Sequence, residues 1–430
     1  MASSVNIPGV RGFRDVLPDE SHRWRQLEAV AAEVFGSYGF APVSLPVLER
    51  AELFSRSLGA TSDVVEKEMF GFEDRDGTML ALRPEATAST VRAYLEHGPG
   101  AQGGRARYWY VGPMFRRERP QRGRFRQFQQ IGVEAFGDDG PLVDAEVLIM
   151  LNDYLGTVGA SGSRLLLGSV GDAECRPSYR DRLQAFGRER EASLCDNCRR
   201  RLDRNPLRLL DCKEAGCQAA LADAPLLLEH LCTACAEHFS SVRRHLDAQG
   251  VRYEIAPRLV RGLDYYTRTA FEVVASGLGA QNAVGGGGRY DALVATLGGP
   301  TVPALGFALG VDRLVMALGD VPGASLPTAA ILPLVEDATE PALALATRWR
   351  RAGTTVMLEP PGRSLKALLR GADRQGARLA VLLGADELAV GRATVRDLAR
   401  RQDHPQALPL DIDAAGLEAW LEAHGGRSVE

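Results

Sequence analysis

The chain has 430 residues, enough for two or three domains, and its 45% apolar and 25% charged content is that of a globular protein, not a disordered or fibrous one. No apolar run approaches bilayer length and Met1–Gly12 lacks the features of a secretory signal, so the expected compartment is the cytoplasm. A net charge of −4 argues against a histone-like nucleic-acid binder, yet Arg116–Arg126 concentrates six arginines against one acid.

In chain order, Ser21–Tyr38 reads as an amphipathic helix with Trp24, Leu27, Val30, Ala31, Val34 and Phe35 on one face. A short strand is expected at Pro42–Val47, with Pro46 requiring an edge or an end. Met79–Leu82 is a strand leading into RPEATAST, where Pro84 and small residues open a helix through Tyr94. Arg107–Glu118 and Phe125–Phe136 read as strands joined by the loop Arg119–Arg124. Alternation in the second places Arg126, Gln130 and Glu134 on one face. Leu142–Val158 is helical, and residues 171–248, charge-rich and cysteine-bearing, read as a helical insertion. The core resumes with Val251–Val274, Asn282–Tyr290 and the strand–turn–helix Ala304–Leu318. Gly319–Pro327 has linker composition. The strands Ala329–Leu334, Thr355–Leu358 and Leu379–Leu383, alternating with helices, imply a separate small α/β domain.

Gly285–Gly288 lacks side chains, so backbone there can approach a neighbour closely. No GxxxxGKS or GxxxxGKT occurs, which excludes a P-loop. A turn or bulge is the plain reading of such a run, but Arg261, Tyr265 and Tyr266 flank it on one side and Arg289 and Tyr290 on the other. Arg116, Arg261 and Arg313 are candidate phosphate ligands, because guanidinium is permanently charged and binds phosphate oxygens bidentately. Glu85, Gln130 and Glu134 place carboxylates and an amide among those arginines; a structural counter-ion network is the competing reading.

Six of the seven cysteines lie between Cys195 and Cys235. Cys195, Cys198, Cys232 and Cys235 form two CxxC pairs with spacing suited to structural zinc, with Cys212 and Cys217 between them; reduced thiols without metal fit as well. Lys366, Arg370, Arg374 and Arg378 recur every four residues, which on a helix is a basic stripe, either a solvated face or an RNA contact.

Taken together these segments resemble the bacterial histidyl-tRNA synthetases, class II aminoacyl-tRNA synthetases, over essentially the whole chain. VGPMFRRERPQRGRFRQFQQIGVEAFG resembles motif 2 of that class, ALGFALGVDRLVMAL motif 3, and the Pro46 region motif 1. LVRGLDYYTRTAFE and GGGGRYDALV are similar to the signatures of the histidine enzymes. The resemblance implies an α+β fold: an antiparallel class II sheet core with a helical insertion, plus a C-terminal mixed α/β anticodon-binding domain. It assigns 1–170 and 249–326 to the catalytic core, 171–248 to the insertion and 327–430 to the anticodon-binding domain. It further implies a homodimer that forms histidyl-adenylate from L-histidine and ATP with Mg2+, then charges the terminal adenosine of histidine tRNA.

Carried onto this sequence, Arg116 and Arg261 would meet the α-phosphate as catalytic groups, and Arg313 the γ-phosphate. Glu118 would hold adenine, with Arg124 also at ATP. Glu85 and Gln130 would take the amino group of histidine; Glu134 and Tyr266 would face its imidazole, with Tyr265 and Tyr290 nearby. Ala86 and Thr87 complete the expected histidine site, Ala86 standing where the family usually has glycine. The cysteine pairs are not a general family feature. A catalytically silent relative, such as the synthetase-like regulatory subunit of ATP phosphoribosyltransferase, is a competing reading, but it lacks the anticodon domain. A class II synthetase for proline or threonine fits motifs 2 and 3 but not LDYYTRTAFE.

Overall fold

The computed structural model describes residues 7–59, 62, 64–260, 265–276, 278, 282–318, 329–413, 415–416 and 419–420. Arg261 and the linker Gly319–Pro327 lie outside the described residues. The chain divides into two compact units, residues 1–321 and 322–430. Among the described residues no helix is long and apolar enough to cross a membrane.

The strands of the first unit are β1 (Ala41–Pro42), β2 (Leu48–Arg50), β3 (Phe70–Glu73), β4 (Met79–Leu82), β5 (Ala106–Phe115), β6 (Gln127–Phe136), β7 (Arg164–Ser169), β8 (Glu254–Ile255), β9 (Thr267–Val274), β10 (Ala283–Arg289) and β11 (Ala304–Gly310). Its helices are α1 (Pro18–Ser37), α2 (Ala51–Leu58), α3 (Thr87–His97), α4 (Pro141–Thr157), α5 (Arg176–Arg188), α6 (Asp196–Arg204), α7 (Ala215–Ala220), α8 (Thr233–Ala248), α9 (Leu293–Thr296) and α10 (Val311–Leu318). Eight strands form one sheet in the order β1-β5-β6-β11-β10-β9-β7-β8, antiparallel except for parallel pairs at its two edges; β2, β4 and β3 form a small sheet of their own.

α1 starts with Pro18 in its first turn, followed by Asp19 and Glu20, which suit the positive end of the helix. Its Leu27, Ala31 and Phe35, spaced four apart, are buried against the sheet, and Trp24, Val30 and Val34 pack beside them. α4 buries nine of its seventeen residues, and Phe239, Val242 and Leu246 of α8 join the same core. α5 to α7 enclose a second cluster with Tyr179, Leu183, Leu202 and Leu209 at its centre.

The strand expected at Pro42–Val47 is not formed. β1 pairs with Tyr108 and Trp109 for two residues, Val43 adds one more bond to Trp109 at 2.8 Å, and the backbone then leaves the sheet. Pro42 and Pro46 lack the N–H donors that a longer strand needs. The buried Arg83 guanidinium instead takes the Leu45 and Pro46 carbonyls at 2.8 and 3.2 Å.

The second unit holds β12 (Ala329–Pro333), β13 (Val356–Leu358), β14 (Leu379–Leu383), β15 (Arg392–Asp397), β16 (Gln402–Asp403) and β17 (Leu408–Pro409), with α11 (Thr339–Arg351), α12 (Leu365–Arg374) and α13 (Ala385–Val390). β12 runs parallel to β13 and β14, and β15 joins antiparallel, giving a mixed sheet. Apolar residues of β12 and β14 are buried on both faces, with fully buried Trp349 of α11 covering one of them. α12 ends at Arg374 and Gly376 follows at φ +75°, so the basic stripe comprises Lys366, Arg370 and Arg374, with Arg378 beyond the helix.

Candidate active site

The large sheet has two unlike faces. Register places Trp109, Val133, Phe307 and Gly287 in one row, packed into the core with α1 and α4. The next row on the opposite face is Tyr108, Glu134, Gly306, Gly288, Ala270 and Gly168. The row beside it is Tyr110, Gly132, Ala308, Gly286 and Glu272. That face is therefore a floor of small residues from which a few polar side chains rise. Gly306 has a clear reason: a Cβ there would meet the Glu134 carboxylate. Gly288, at φ +154°, leaves room for the Tyr266 ring. Gly285 and Gly287 face the apolar side, where a Cβ would meet Leu309 and Phe307, so half of the glycine run serves packing.

Glu134 is 1% exposed. Tyr290 donates to its Oε2; Thr87 Oγ1 donates to Oε1 at 2.7 Å and the Tyr110 hydroxyl at 3.2 Å. Burial pushes its carboxyl up to about 8; the hydroxyls of Tyr290, Thr87 and Tyr110 act the other way, and Glu85 adds to the rise. Tyr265 packs against both Tyr266, tilted at a ring separation of 4.7 Å, and Tyr290, edge-to-face at 5.6 Å. Burial raises the phenols of Tyr110, Tyr265 and Tyr290 well above the usual range, so all three are neutral donors at physiological pH.

Glu85 takes the N–H groups of Thr87 and Ala88 at 2.7 and 2.9 Å, capping the start of α3. Burial raises its carboxyl, with those two N–H groups and the more distant Arg116 opposing. Ala86 is fully buried against Leu45, Tyr110 and Met114. Gln130 Oε1 is buried with no hydrogen-bond partner among the described residues. Such an orphan costs about 1–3 kcal/mol unless something fills it.

Arg116 extends from the end of β5, donates to the Pro84 carbonyl at 2.9 Å and lies over the Phe128 ring at 5.4 Å. Its other side reaches Glu118 at 3.9 Å, and Glu118 pairs with Arg124 at 3.0 Å. Burial, then the charge of Arg124, lowers the Arg313 guanidinium from its usual range, while Glu118 and Glu272 oppose the shift. Gly123 lies over Arg313, where a Cβ would sit 3.7 Å from its Cγ. Arg116, Glu118, Arg124 and Arg313 are thus one neighbourhood, joined to the carboxylate well through Glu85. Arg261, expected between them, lies outside the described residues.

Residues 12–314 match the sequence model described as histidyl-tRNA synthetase, and residues 328–416 match that of an anticodon binding domain. The chain belongs to the histidyl-tRNA synthetase family. It is 51% identical over 408 residues to the histidine–tRNA ligase of Anaeromyxobacter sp. (strain K), covering 94% of this chain and 98% of the relative. Over 390 residues it is 50% identical to that of Geobacter metallireducens, with 91% and 94% covered. The apo histidyl-tRNA synthetase of S. aureus superposes with a TM-score of 0.77 at 30% identity, covering 97% of this chain and 100% of that one.

Three placements differ from the sequence reading. Arg126 precedes β6 instead of continuing its polar stripe; its backbone bonds to Gly12 and Arg116. Arg289, adjacent to Tyr290, turns to the other side, where it is fully buried and ion-paired with Asp144 and Asp291. Cys195, Cys198, Cys232 and Cys235 do not share a site. The first pair converges with Cys212 and Cys217, the second with Cys175 and Asp172. The sequence alone does not point to Tyr110 and Glu272. The alternation of β5 could have revealed Tyr110, whereas Glu272 depends on the register of β9 against β10. A surface cavity of about 530 Å³ beside α4, lined by Arg107, Leu142, Glu146 and His245, contains none of these site residues.

Proposed function

We propose that the chain is a histidine–tRNA ligase that activates L-histidine with ATP, supplied as its magnesium complex, and transfers histidine to the terminal adenosine of histidine tRNA. The observation that carries this is the buried Glu134 well, roofed by Tyr265, Tyr266 and Tyr290, on the same sheet face as the orphaned Gln130 oxygen. An imidazole has two ring nitrogens, and a carboxylate with phenol neighbours can satisfy both. The Gln130 oxygen, together with the lone pairs left on Glu85, is the acceptor set for the amino group. A competitor lacking the ring nitrogens must disturb the hydrogen bonds among Glu134, Thr87 and the phenols without offering a partner in exchange. Sites that bind substrate through buried polar groups reject such analogues by roughly 10⁴–10⁵.

With histidine seated there, its carboxylate points toward Arg116, which adjoins Glu85 and begins the arginine group. In this reading Arg116 and Arg261 flank the α-phosphate as the histidine carboxylate attacks it, and Glu118 holds the adenine. Arg124 and Arg313 hold the phosphates that leave as pyrophosphate. Fixed donors aimed at developing charge commonly contribute about 3–4 kcal/mol each. The second unit would bind the anticodon stem of the tRNA, with Lys366, Arg370 and Arg374 of α12 as phosphate contacts. A homodimer acting in the cytoplasm completes the proposal.

Pyrophosphate exchange into ATP, measured separately with each amino acid, tests it. Histidine alone should drive exchange. No exchange above background with folded protein would remove the ligase assignment, and exchange driven by proline or threonine would reassign the substrate.

A further inference from the structure

The cysteine-bearing stretch between β7 and β8 is not used by the reaction above, yet it is highly ordered chemically. All seven cysteines are free of disulfides, five are buried and two half-buried. They gather into two sets: Cys195, Cys198, Cys212 and Cys217 in one, Asp172, Cys175, Cys232 and Cys235 in the other. Within each set all four donor atoms lie within 4.8 Å of one another.

Both sets are built by the same device. Cys195 precedes α6 with φ −67° and ψ 161°, and Cys232 precedes α8 with φ −65° and ψ 162°. The second cysteine of each pair then lies in the first turn of its helix, so both thiols sit at the positive end of the helix. Cys217 comes from α7, and Cys212, Asp172 and Cys175 come from the segments that precede or follow helices. Cys195 Sγ lies 3.9 Å from Cys212 Sγ, and Cys175 Sγ lies 3.9 Å from Cys235 Sγ. Asp172 Oδ1 is 3.5 Å from Cys175 Sγ and 3.8 Å from Cys232 Sγ. Four ligands around a tetrahedral zinc with bonds of about 2.3 Å must be about 3.8 Å apart. Those separations match that tetrahedron and are far from the roughly 2.05 Å of a disulfide. Thiolate donors select zinc over magnesium or calcium.

The surroundings are shaped to the same end. The Cys195 N–H donates to Cys217 Sγ at 3.1 Å and the Asp172 N–H to Cys175 Sγ at 3.3 Å, the backbone support a metal-bound thiolate uses. Gly171, at φ +62°, leaves the space that Cys175 Sγ occupies; a Cβ there would lie 2.6 Å from the sulfur. Arg268 adopts φ 51°, rare for a residue with a side chain, and brings its guanidinium to 3.7 Å from Asp172.

We propose that this chain binds two mononuclear zinc ions, one in a four-cysteine centre that holds α6 and α7 together and one in a three-cysteine, one-aspartate centre at the root of α8. The second centre has a structural consequence the first lacks. Asp172 and Cys175 follow the end of β7, and Arg268 at the start of β9 closes on them two residues after Tyr266. From α8, His238 bonds Asp144 at 2.8 Å, which pairs with Arg289, the neighbour of Tyr290. The aspartate centre therefore clamps α8 to the strands that carry the tyrosines.

Metal analysis of the full chain, purified without chelator or added metal, should find about two zinc per chain. Cys198→Ser and Cys235→Ser should each retain about one, and the double variant none. Cobalt exchanged for zinc should give intense tetrahedral d–d bands and thiolate charge-transfer absorption, reduced by about half in either single variant. Asp172→Ala, which keeps every cysteine, should release one of the two ions to a competing chelator about 10-fold or more faster than wild type. Limited proteolysis should cleave within residues 176–227 after loss of the four-cysteine centre. Loss of the aspartate centre should instead raise the KM for histidine. Less than about half an equivalent of zinc in wild type, or iron in its place, overturns the proposal. So does a Cys235→Ser protein that still carries two ions, a result that leaves the ligase assignment standing.

Discussion

Arg289 and Tyr290 are consecutive residues that end in opposite kinds of polar cluster. Arg289 enters a closed one: Asp144 receives Arg289, the His238 ring and the Thr269 hydroxyl, while Asp291 and the Asp138 carbonyl take the remaining guanidinium donors. Every strong donor there has an internal acceptor, and the Asp144 carboxyl stays below its ordinary range despite burial, because His238 and Arg289 favour its charge. Tyr290 enters an open cluster, where burial wins over the hydroxyl bonds and lifts Glu134, and farther along the same face of β6 the Gln130 oxygen has no described partner. In the proposed reading the satisfied cluster is architecture, and the orphaned Gln130 oxygen marks where a ligand would bind.

The largest effect should come from breaking the closed cluster. Asp144→Ala leaves a buried guanidinium unpaired and should cost about 3–5 kcal/mol of stability, read by urea denaturation. A loss below about 1 kcal/mol would mean that this cluster is not the anchor described. In the open cluster the effect should fall on rate. Arg116→Ala should slow histidine-dependent pyrophosphate exchange by roughly 10²-fold or more, with little change in the denaturation midpoint. Equal losses of rate and stability would erase the distinction between the two clusters.

The pH dependence sharpens it. The folded Glu134 carboxyl keeps its proton up to about 8, whereas the unfolded one loses it near 4.5. Between those values the folded state binds the extra proton, so the ligand-free protein should lose stability as pH rises through that window. Histidine that takes the carboxylate form should release a proton on binding, and its affinity should rise toward pH 8. Calorimetry in buffers of different ionisation enthalpy measures that release, and Glu134→Gln should abolish it. Smallest is the surface effect: neutralising Lys366, Arg370 and Arg374 should lower the salt slope of tRNA binding by about 2–3. An unchanged slope makes α12 a solvated face.

Much of this was legible locally. Met79–Leu82 is a strand with those bounds, and the two strands around the arginine loop were expected to within three residues of their observed ends. The apolar spacing of α1 identified its buried face because a helix repeats every 3.6 residues whatever packs on it. Pro46 by itself marks a strand end, yet Pro42 and Pro46 together leave only two paired residues at β1. The cysteine sets were not legible. Spacing identified the two CxxC pairs but suggested they face each other, whereas the path of α5 to α8 brings each to different partners.

By itself the sequence determined where helices and strands fall, which family motifs are present and which residue types could bind phosphate or metal, because those depend on neighbours a few residues away. Only the tertiary structure decided that Asp144 meets Arg289 across 145 positions, that Gly306 makes room for Glu134, and that Asp172 completes a cysteine set. Strand register and helix crossings set those proximities. A shift of one residue in a strand would turn each side chain to the opposite face of the sheet.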